Sequence, residues 1–383
     1  MEKPVYLDYN GTTPHDPEVI DAMKLFLEEE FGNPSSTHWY GIAPKRAVIQ
    51  ARRQVASLLN CDPEEIIFTS GGTESNNNAI LGIAYENRHR GNHIITSQVE
   101  HPAVIEVCRF LELGGFKTTY LPVDEFGMVN VSDVENAITP QTMLITIMHA
   151  NNEVGTILPV EEIALLARSH GIVMHTDAAQ SMGKIPTDVK ALGVDLLSVA
   201  GHKLYAPKGI GALYIRHGIR LQKFMLGAGQ EMGKRAGTEN VLEIVGLGKA
   251  CEIALRDLEK NAERMRHTRD LLHDNLKERL EHVRLNGHLV KRLPNTLNLS
   301  FLGLEANRIL EEIGLDVAAS AGAACHSDQV QISHVLEAMG VPIDWAKGTL
   351  RFTTGRMTTE KEIARAVNVI VDAVTRLQKE QTS

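Results

Sequence analysis

Positive charge, cysteine and long apolar runs are all scarce in this chain of 383 residues, and each scarcity removes a class of function. Lys and Arg together number 39 against 48 acids, giving a formal net charge of −9. That balance argues against nucleic acid as a partner and leaves no basic patch for a membrane surface. No apolar run approaches the roughly 20 residues that span a bilayer. The start, Met1-Glu-Lys-Pro-Val-Tyr-Leu-Asp8, enters a strand-like run without the charged and apolar regions of a signal peptide. The expected address is cytoplasmic.

Four cysteines are present, and none forms a Cys-x-x-Cys pair, so a thiolate metal site of that kind is not expected. In a cytosolic protein they should be free thiols. Cys108 falls between Ile105 and Leu111 on the apolar face of a predicted helix, and Cys251 sits within another helical stretch. Cys61 precedes an Asp-Pro turn with no basic or histidine neighbour in sequence. Those three read as core residues, while Cys325, in a run of small residues, does not.

What is present is an ordinary globular composition, 43% hydrophobic and 23% charged, in a chain long enough for two domains. Strand-like runs alternate with helical patterns from Glu65 to Arg216, which predicts βαβ units and a mostly parallel sheet. After about Ala250 the pattern changes to a long charged helix from Cys251 to Glu281, then strands at Leu297–Phe301 and Thr349–Thr353. A closing amphipathic helix follows, with Thr359 and Glu362 spaced as a capping box. The expected division is a large domain over 15–255 and a smaller α+β domain from 1–14 and 256–383.

Two polar clusters close apolar strand-like runs, Asp177-Ala-Ala-Gln180 and Gly201-His-Lys203. Carboxyl ends of buried strands are where open α/β sheets gather ligand chemistry. An acid and a lysine there suit pyridoxal phosphate: the lysine holds the aldehyde and the acid keeps the pyridine nitrogen protonated. Ser70-Gly-Gly-Thr-Glu74 opens a helix with glycines, an arrangement that binds phosphate or simply turns the chain. His101 lies at another strand-to-helix junction, placed to stack on a flat ring or to cap the helix. Arg351, on a buried-looking strand, suits either a substrate carboxylate or a salt bridge.

These motifs, with Tyr6-Leu-Asp-Tyr-Asn-Gly-Thr-Thr-Pro14, Phe31-Gly-Asn-Pro-Ser-Ser36, His149-Ala-Asn-Asn-Glu-Val-Gly155, Gly229-Gln-Glu231, Arg235-Ala-Gly-Thr-Glu-Asn240, Gly322-Ala-Ala-Cys325 and Leu350-Arg-Phe-Thr-Thr-Gly-Arg356, cover nearly the whole chain. Together they resemble the cysteine desulfurase and selenocysteine lyase family, class-V enzymes of the fold-type-I pyridoxal phosphate group. The resemblance implies Lys203 as the lysine that holds the cofactor and carries the Cα proton. It implies Asp177 at the pyridine nitrogen, Gln180 at the ring oxygen, and His101 stacked on the ring and active in proton transfer, with Asn152 nearby. Gly72, Thr73 and His202 would hold the phosphate, joined by Thr238 from the partner subunit of a homodimer. Arg351 would take the substrate carboxylate. Cys325 would attack the sulfur of L-cysteine, releasing alanine and passing sulfur on to an acceptor or scaffold protein. Physically, such attack needs a thiolate, and a loop of small residues such as Ala318–Ala324 would let it travel.

Two departures divide the family's activities. Ala200 stands where many desulfurases have a phosphate-binding serine, and Gly322-Ala-Ala-Cys-His-Ser-Asp328 followed by Gly340-Val-Pro342 resembles selenocysteine lyases. The spacing from Cys325 to Arg351 instead resembles the desulfurases. Desulfurase is the main reading, selenocysteine lyase acting on L-selenocysteine the alternative, and a class-V aminotransferase, which needs no Cys325, the third. A nucleotide-binding oxidoreductase is disfavoured because Gly209-Ile-Gly-Ala-Leu-Tyr214 lacks the third glycine and the following helix of a dinucleotide fingerprint.

Overall fold

The computed structural model describes residues 3–326 and 329–382, with side chains described outside 323–331 and 381–382. Short strand β1 (Val5–Tyr6) leads into helices α1 (Pro17–Glu28) and α2 (Trp39–Leu59). A seven-stranded sheet follows: β2 (Ile66–Thr69), β3 (His93–Ser97), β4 (Lys117–Leu121), β5 (Thr142–Thr146), β6 (Val173–Asp177), β7 (Leu196–Ala200) and β8 (Gly211–Ile215). Their order is β2-β8-β7-β6-β5-β3-β4. All neighbours are parallel except β8, which runs antiparallel to both β2 and β7. Between strands lie α3 (Gly72–Glu86), α4 (Pro102–Leu113), α5 (Val131–Ala137), α6 (Val160–Ser169) and α7 (Val189–Leu192).

Both faces of the sheet are covered, which explains why its strands read as continuous apolar runs rather than alternating ones. Successive side chains point to opposite faces. Ile66, Ile95, Ile145 and Leu197 enter one core, while Ile67, Ile94, Leu144 and Leu196 enter the other. The fold is therefore α/β with a mostly parallel, helix-flanked sheet, as the alternating pattern predicts.

Helix α8 (Val241–Arg279) leaves this layer and breaks its helical geometry at Asp257. Before the break Ile244, Leu247, Cys251 and Ala254 pack into the large core. After it Leu272 and Leu276 join a separate core with Val5, Leu7, Phe301 and Phe352. That second core lies against an antiparallel sheet ordered β12-β15-β10-β9. Its strands are β9 (Val283–Asn286), β10 (Thr296–Phe301), β12 (Ser320–Ala321) and β15 (Thr349–Thr353). Strand β11 (Val317–Ala318) pairs in parallel with β1, and β13 (Ala323–His326) pairs with β14 (Gln329–Ile332). Helices α9 (Ala306–Ile313), α10 (His334–Ala338), α11 (Ile343–Ala346) and α12 (Glu360–Thr382) complete the chain. No described helix is long and apolar enough to cross a membrane.

Helix α2 accommodates Pro44 in its interior. Two expectations change. Helix α8 begins at Val241 rather than Cys251, with Asn240 accepting from the Glu243 N–H as its cap. The run Ala318–Ala324 is not a plain loop: its residues form edges of β11, β12 and β13, with Ser320 opposite Arg351. Small side chains say little about backbone pairing, and here the backbone pairs. The capping box at Thr359 and Glu362 is present, with Glu362 Oε2 accepting from the Thr359 N–H at 2.8 Å.

Candidate active site

Strand β6 delivers Asp177 at its last residue, and the end of β7 runs directly into the short turn Gly201–Lys203. Both ends open onto one cavity of about 300 Å³. Gly72, Thr73, His101, Asn152, Asp177, Gln180, His202, Lys203 and Arg351 all line it, although they come from six separate segments of sequence.

Asp177 is fixed by two donors: Asn76 Nδ2 gives to Oδ2 at 2.7 Å, and the Ala179 N–H gives to Oδ1 at 2.9 Å. Beneath it on the same face of β6, His175 is fully buried and bridges neighbouring strands. Its Nδ1 lies 2.8 Å from Thr146 Oγ1 and its Nε2 lies 3.0 Å from Ser198 Oγ. Burial pushes this imidazole down to about 3, so it is a neutral strut between β5 and β7.

Lys203 Nζ donates to the main-chain oxygens of Asn10 and Gly11, each at 2.6 Å. Desolvation, followed by the positive charge of Arg351, pulls the ammonium down to about 8. A lysine with this depressed value is a neutral nucleophile in a substantial fraction of molecules near neutral pH. Asn10 is the junction of the site. Its oxygen Oδ1 accepts from Lys184 and Asn295, and its Nδ2 donates to the Asn152 oxygen and Thr296 Oγ1. Its N–H donates to Thr353 Oγ1 at 3.0 Å.

His101 caps its helix and faces the cavity. Its Nδ1 accepts from the Ala103 N–H at 3.1 Å, capping α4, while the ring lines the cavity. Partial desolvation in the cleft holds its imidazole below the ordinary histidine value. The preceding Glu100 is fully buried, and burial lifts its carboxyl to about 8 despite hydrogen bonds from Ser97 Oγ and the Met148 N–H. Glu100 thus ties the ends of β3 and β5 together directly beneath His101.

At the start of α3, Gly71 at φ 149° turns the chain and no side chain caps the first turn, an arrangement suited to an anion. A Cβ on Gly72 would come within 3.2 Å of the Ala200 methyl, so the glycine keeps the backbone N–H groups close to the wall. His202 Nδ1 lies 3.2 Å from Thr12 Oγ1, and burial followed by Lys203 pushes its imidazole down to about 4. It can therefore offer a hydrogen bond rather than a charge. Behind the helix start, burial raises the Glu74 carboxyl, but bonds from Arg235 and the Ser70 N–H outweigh it and hold the group below the usual range.

Arg351 makes the anticipated salt bridge and also faces the cavity. One edge pairs with Asp8 Oδ1 at 2.8 Å and Ser320 Oγ at 3.1 Å, and Nη1 donates to the Asn152 oxygen at 3.2 Å. Its Nε is buried with no hydrogen-bond partner, while the side chain lines the cavity. Thr238 does not line this cavity: it is exposed, three residues before α8. The backbone of Cys325 lies on β13, opposite Val330 of β14, and its side chain is outside the described residues.

Sequence reasoning passed over Asn10, Asn76 and Lys184. Asn10 read as a turn-former, and Asn76 carried one available signal, lying one helical turn beyond Gly72 and so on the same face of α3.

The family model described as aminotransferase class-V matches residues 5–366. Cysteine desulfurase IscS of Dictyoglomus turgidum is 48% identical over 379 residues, covering 99% of this chain and 96% of that protein. A solved NifS-like protein superposes with a TM-score of 0.92 at 37% identity, covering 97% of this chain and 99% of the other. A structure described as SspA in complex with cysteine gives a TM-score of 0.81 at 37% identity, covering 92% and 99%. With the match spanning both sheets and the cavity between them, the chain belongs to the class-V aminotransferase family, alongside its cysteine desulfurases.

Proposed function

We propose that this protein is a pyridoxal-phosphate-dependent cysteine desulfurase that converts L-cysteine to L-alanine and passes the sulfur to an acceptor. The observation that carries the reading is the shared cavity of Lys203 and Asp177, a lysine lowered to about 8 facing a buried acid, with an uncapped helix start beside them. The lining fits the cofactor: Asn76 Nδ2 holds the Asp177 carboxylate in place at 2.7 Å, and Gly72 leaves a cradle that a Cβ would fill. Bound pyridoxal phosphate would supply an electron sink for the substrate's Cα.

The chain's own residues then divide the work. Lys203 would bind the aldehyde carbon and later carry the Cα proton. Asp177 would hold the pyridine nitrogen protonated, Gln180 would face the ring oxygen, and His101 would stack on the ring and move protons at the substrate. Gly72, Thr73 and His202 would hold the phosphate, and Asn152 would lie beside cofactor and substrate. Arg351 would turn from Asp8 toward the substrate carboxylate. The Cys325 thiolate would attack the substrate sulfur: an S–S bond forms, the C–S bond breaks, and its electron pair stays on the carbon fragment. Protonation of that fragment gives alanine, and the sulfur stays on Cys325 until an acceptor thiol takes it.

A homodimer is part of the reading. Thr238 would reach the phosphate of the partner subunit's site, which accounts for its exposure here. Phe31, Trp39 and Tyr40 form an exposed aromatic group with ring centroids 5.1 to 5.5 Å apart, suited to burial against a second copy.

Exchanging Asp177 for asparagine keeps an acceptor for the Ala179 N–H but removes the charge. The expected result is a fall in kcat of about a hundred-fold with little change in KM, measured by alanine formation, since the charge matters in the transition state. Reconstitution has its own pH dependence. Capture of an aldehyde needs the neutral amine, so the rate of cofactor uptake should rise with pH through about 8 and level off above it. A flat profile would show that Lys203 is not the capturing group.

The direct test is incubation of the holoenzyme with L-cysteine, followed by intact mass and peptide mapping. Gain of one sulfur atom on Cys325 with alanine release is expected. Alanine release without any sulfur on Cys325 would overturn the sulfur-transfer step. Ala200 favours one second reading, a selenocysteine lyase with the same residues, and kcat/KM on the two amino acids separates the two.

A further inference from the structure

Lys184 occupies a place where lysine is rare. It lies four residues beyond Gln180, in a turn where Gly183 takes φ 74°, and is buried with Nζ 2.8 Å from Asn10 Oδ1 and 3.0 Å from Gln180 Oε1. Both partners are amide oxygens rather than carboxylates. Burial, then the positive charges of Lys203 and Arg351, pushes its ammonium well below the usual lysine value. The argument does not depend on its charge, because ammonium and neutral amine alike have two N–H bonds to give.

An amide whose oxygen is held must point its nitrogen elsewhere. Gln180 therefore turns Nε2 toward the Asn10 carbonyl at 3.1 Å, on the cavity side. Asn10 turns Nδ2 toward the Asn152 oxygen at 3.1 Å and Thr296 Oγ1 at 2.9 Å. The same Asn10 carbonyl accepts from Lys203. One buried amine thus sets the direction of two cavity amides and, through one of them, the seat of the reactive lysine.

We propose that Lys184 is a positioning residue that fixes Gln180 as a hydrogen-bond donor toward the cofactor's ring oxygen. The proposal rests on the pyridoxal phosphate reading above. Without Lys184, the Gln180 amide is free to flip and present its oxygen, turning an attractive contact into a repulsive one. A donor at the ring oxygen lowers the proton affinity of the adjoining oxygen–nitrogen pair, so its loss raises the pH at which the visible band changes.

The test is a spectrophotometric pH titration of the reconstituted holoenzyme, which requires no turnover. K184M should shift the midpoint of the band upward by about one pH unit, the size of one charge-assisted hydrogen bond. Lys203, Arg351, Asp8 and Asp177 remain in both proteins, so their charges are common to both titrations. Q180L should shift it likewise, and K184M/Q180L should shift no further, since the two act through one contact. Should K184M fail to fold, K184Q retains an amide donor and should give a smaller upward shift. An unmoved midpoint in either Lys184 variant, or additive shifts in the double variant, overturns the proposal. A wild-type protein that never acquires the band overturns the cofactor reading itself, and this proposal with it.

Discussion

Lys203→Ala is expected to lower cysteine turnover by at least about a thousand-fold and to abolish the visible absorbance of the reconstituted protein. Two losses combine at one atom. On the proposed reading the covalent attachment would disappear, and with it the base that would carry the Cα proton. The fold should survive, because Nζ donates only to two main-chain oxygens and the Asn10 oxygen keeps a second donor in Gln180. The sign of the charge effect agrees. A lysine whose folded value is lowered to about 8 lies below its unfolded value, so folding is opposed by its proton at neutral pH. Removing the group relieves that opposition, and the melting temperature should move by no more than a few degrees. Retention of the band in this variant would remove Lys203 from its assigned role.

Cys325→Ala is expected to separate cofactor chemistry from sulfur chemistry. The variant should bind the cofactor with an unchanged spectrum, yet lose cysteine desulfuration by about a thousand-fold or more and show no sulfur adduct by mass. The other thiols cannot substitute. Burial pushes Cys61 and Cys108 up to about 12, and Cys251 is fully buried and pushed higher still. None is a thiolate at neutral pH, and the thiolate is the nucleophile. Selenocysteine ionises far more readily, so the variant should keep more activity on it than on cysteine. Alanine formation from cysteine at the wild-type rate would sink the assignment.

The features legible in the sequence are those with a local physical signature. Apolar runs buried on two faces gave away the sheet, and each polar cluster at a strand end led to a residue that lines the cavity. His101 and Arg351 invited two readings each, and the structure shows the helix cap of the one and the salt bridge of the other, with both side chains lining the cavity. A histidine can cap a helix with one nitrogen while its ring faces a cleft, and an arginine can pair on one edge and leave Nε unpartnered. The residues that stayed hidden are those whose meaning comes from distant partners. Asn10 looks like any turn asparagine until Thr296 and Thr353 stand beside it, 286 and 343 residues away. Lys184 looks like a surface lysine because it stands in a turn beside Gly183, with no charged residue next to it in sequence. The pairing of Ala318–Ala324 was hidden for a related reason: strand edges are decided by backbone geometry across the chain.

The Asn10 junction also orders events during biosynthesis. Its Thr353 partner is made 343 residues after it. Strand β1 waits equally for β11, with Val5 opposite Val317. Closing so long a loop carries an entropic cost that grows with the logarithm of its length, and contacts of this separation form late. The large sheet can assemble while synthesis continues, but the seat of Lys203 cannot. A nascent chain stalled before residue 350 would therefore have the strands of the large sheet but lack the Thr353 contact that holds Asn10, and with it the finished seat of Lys203.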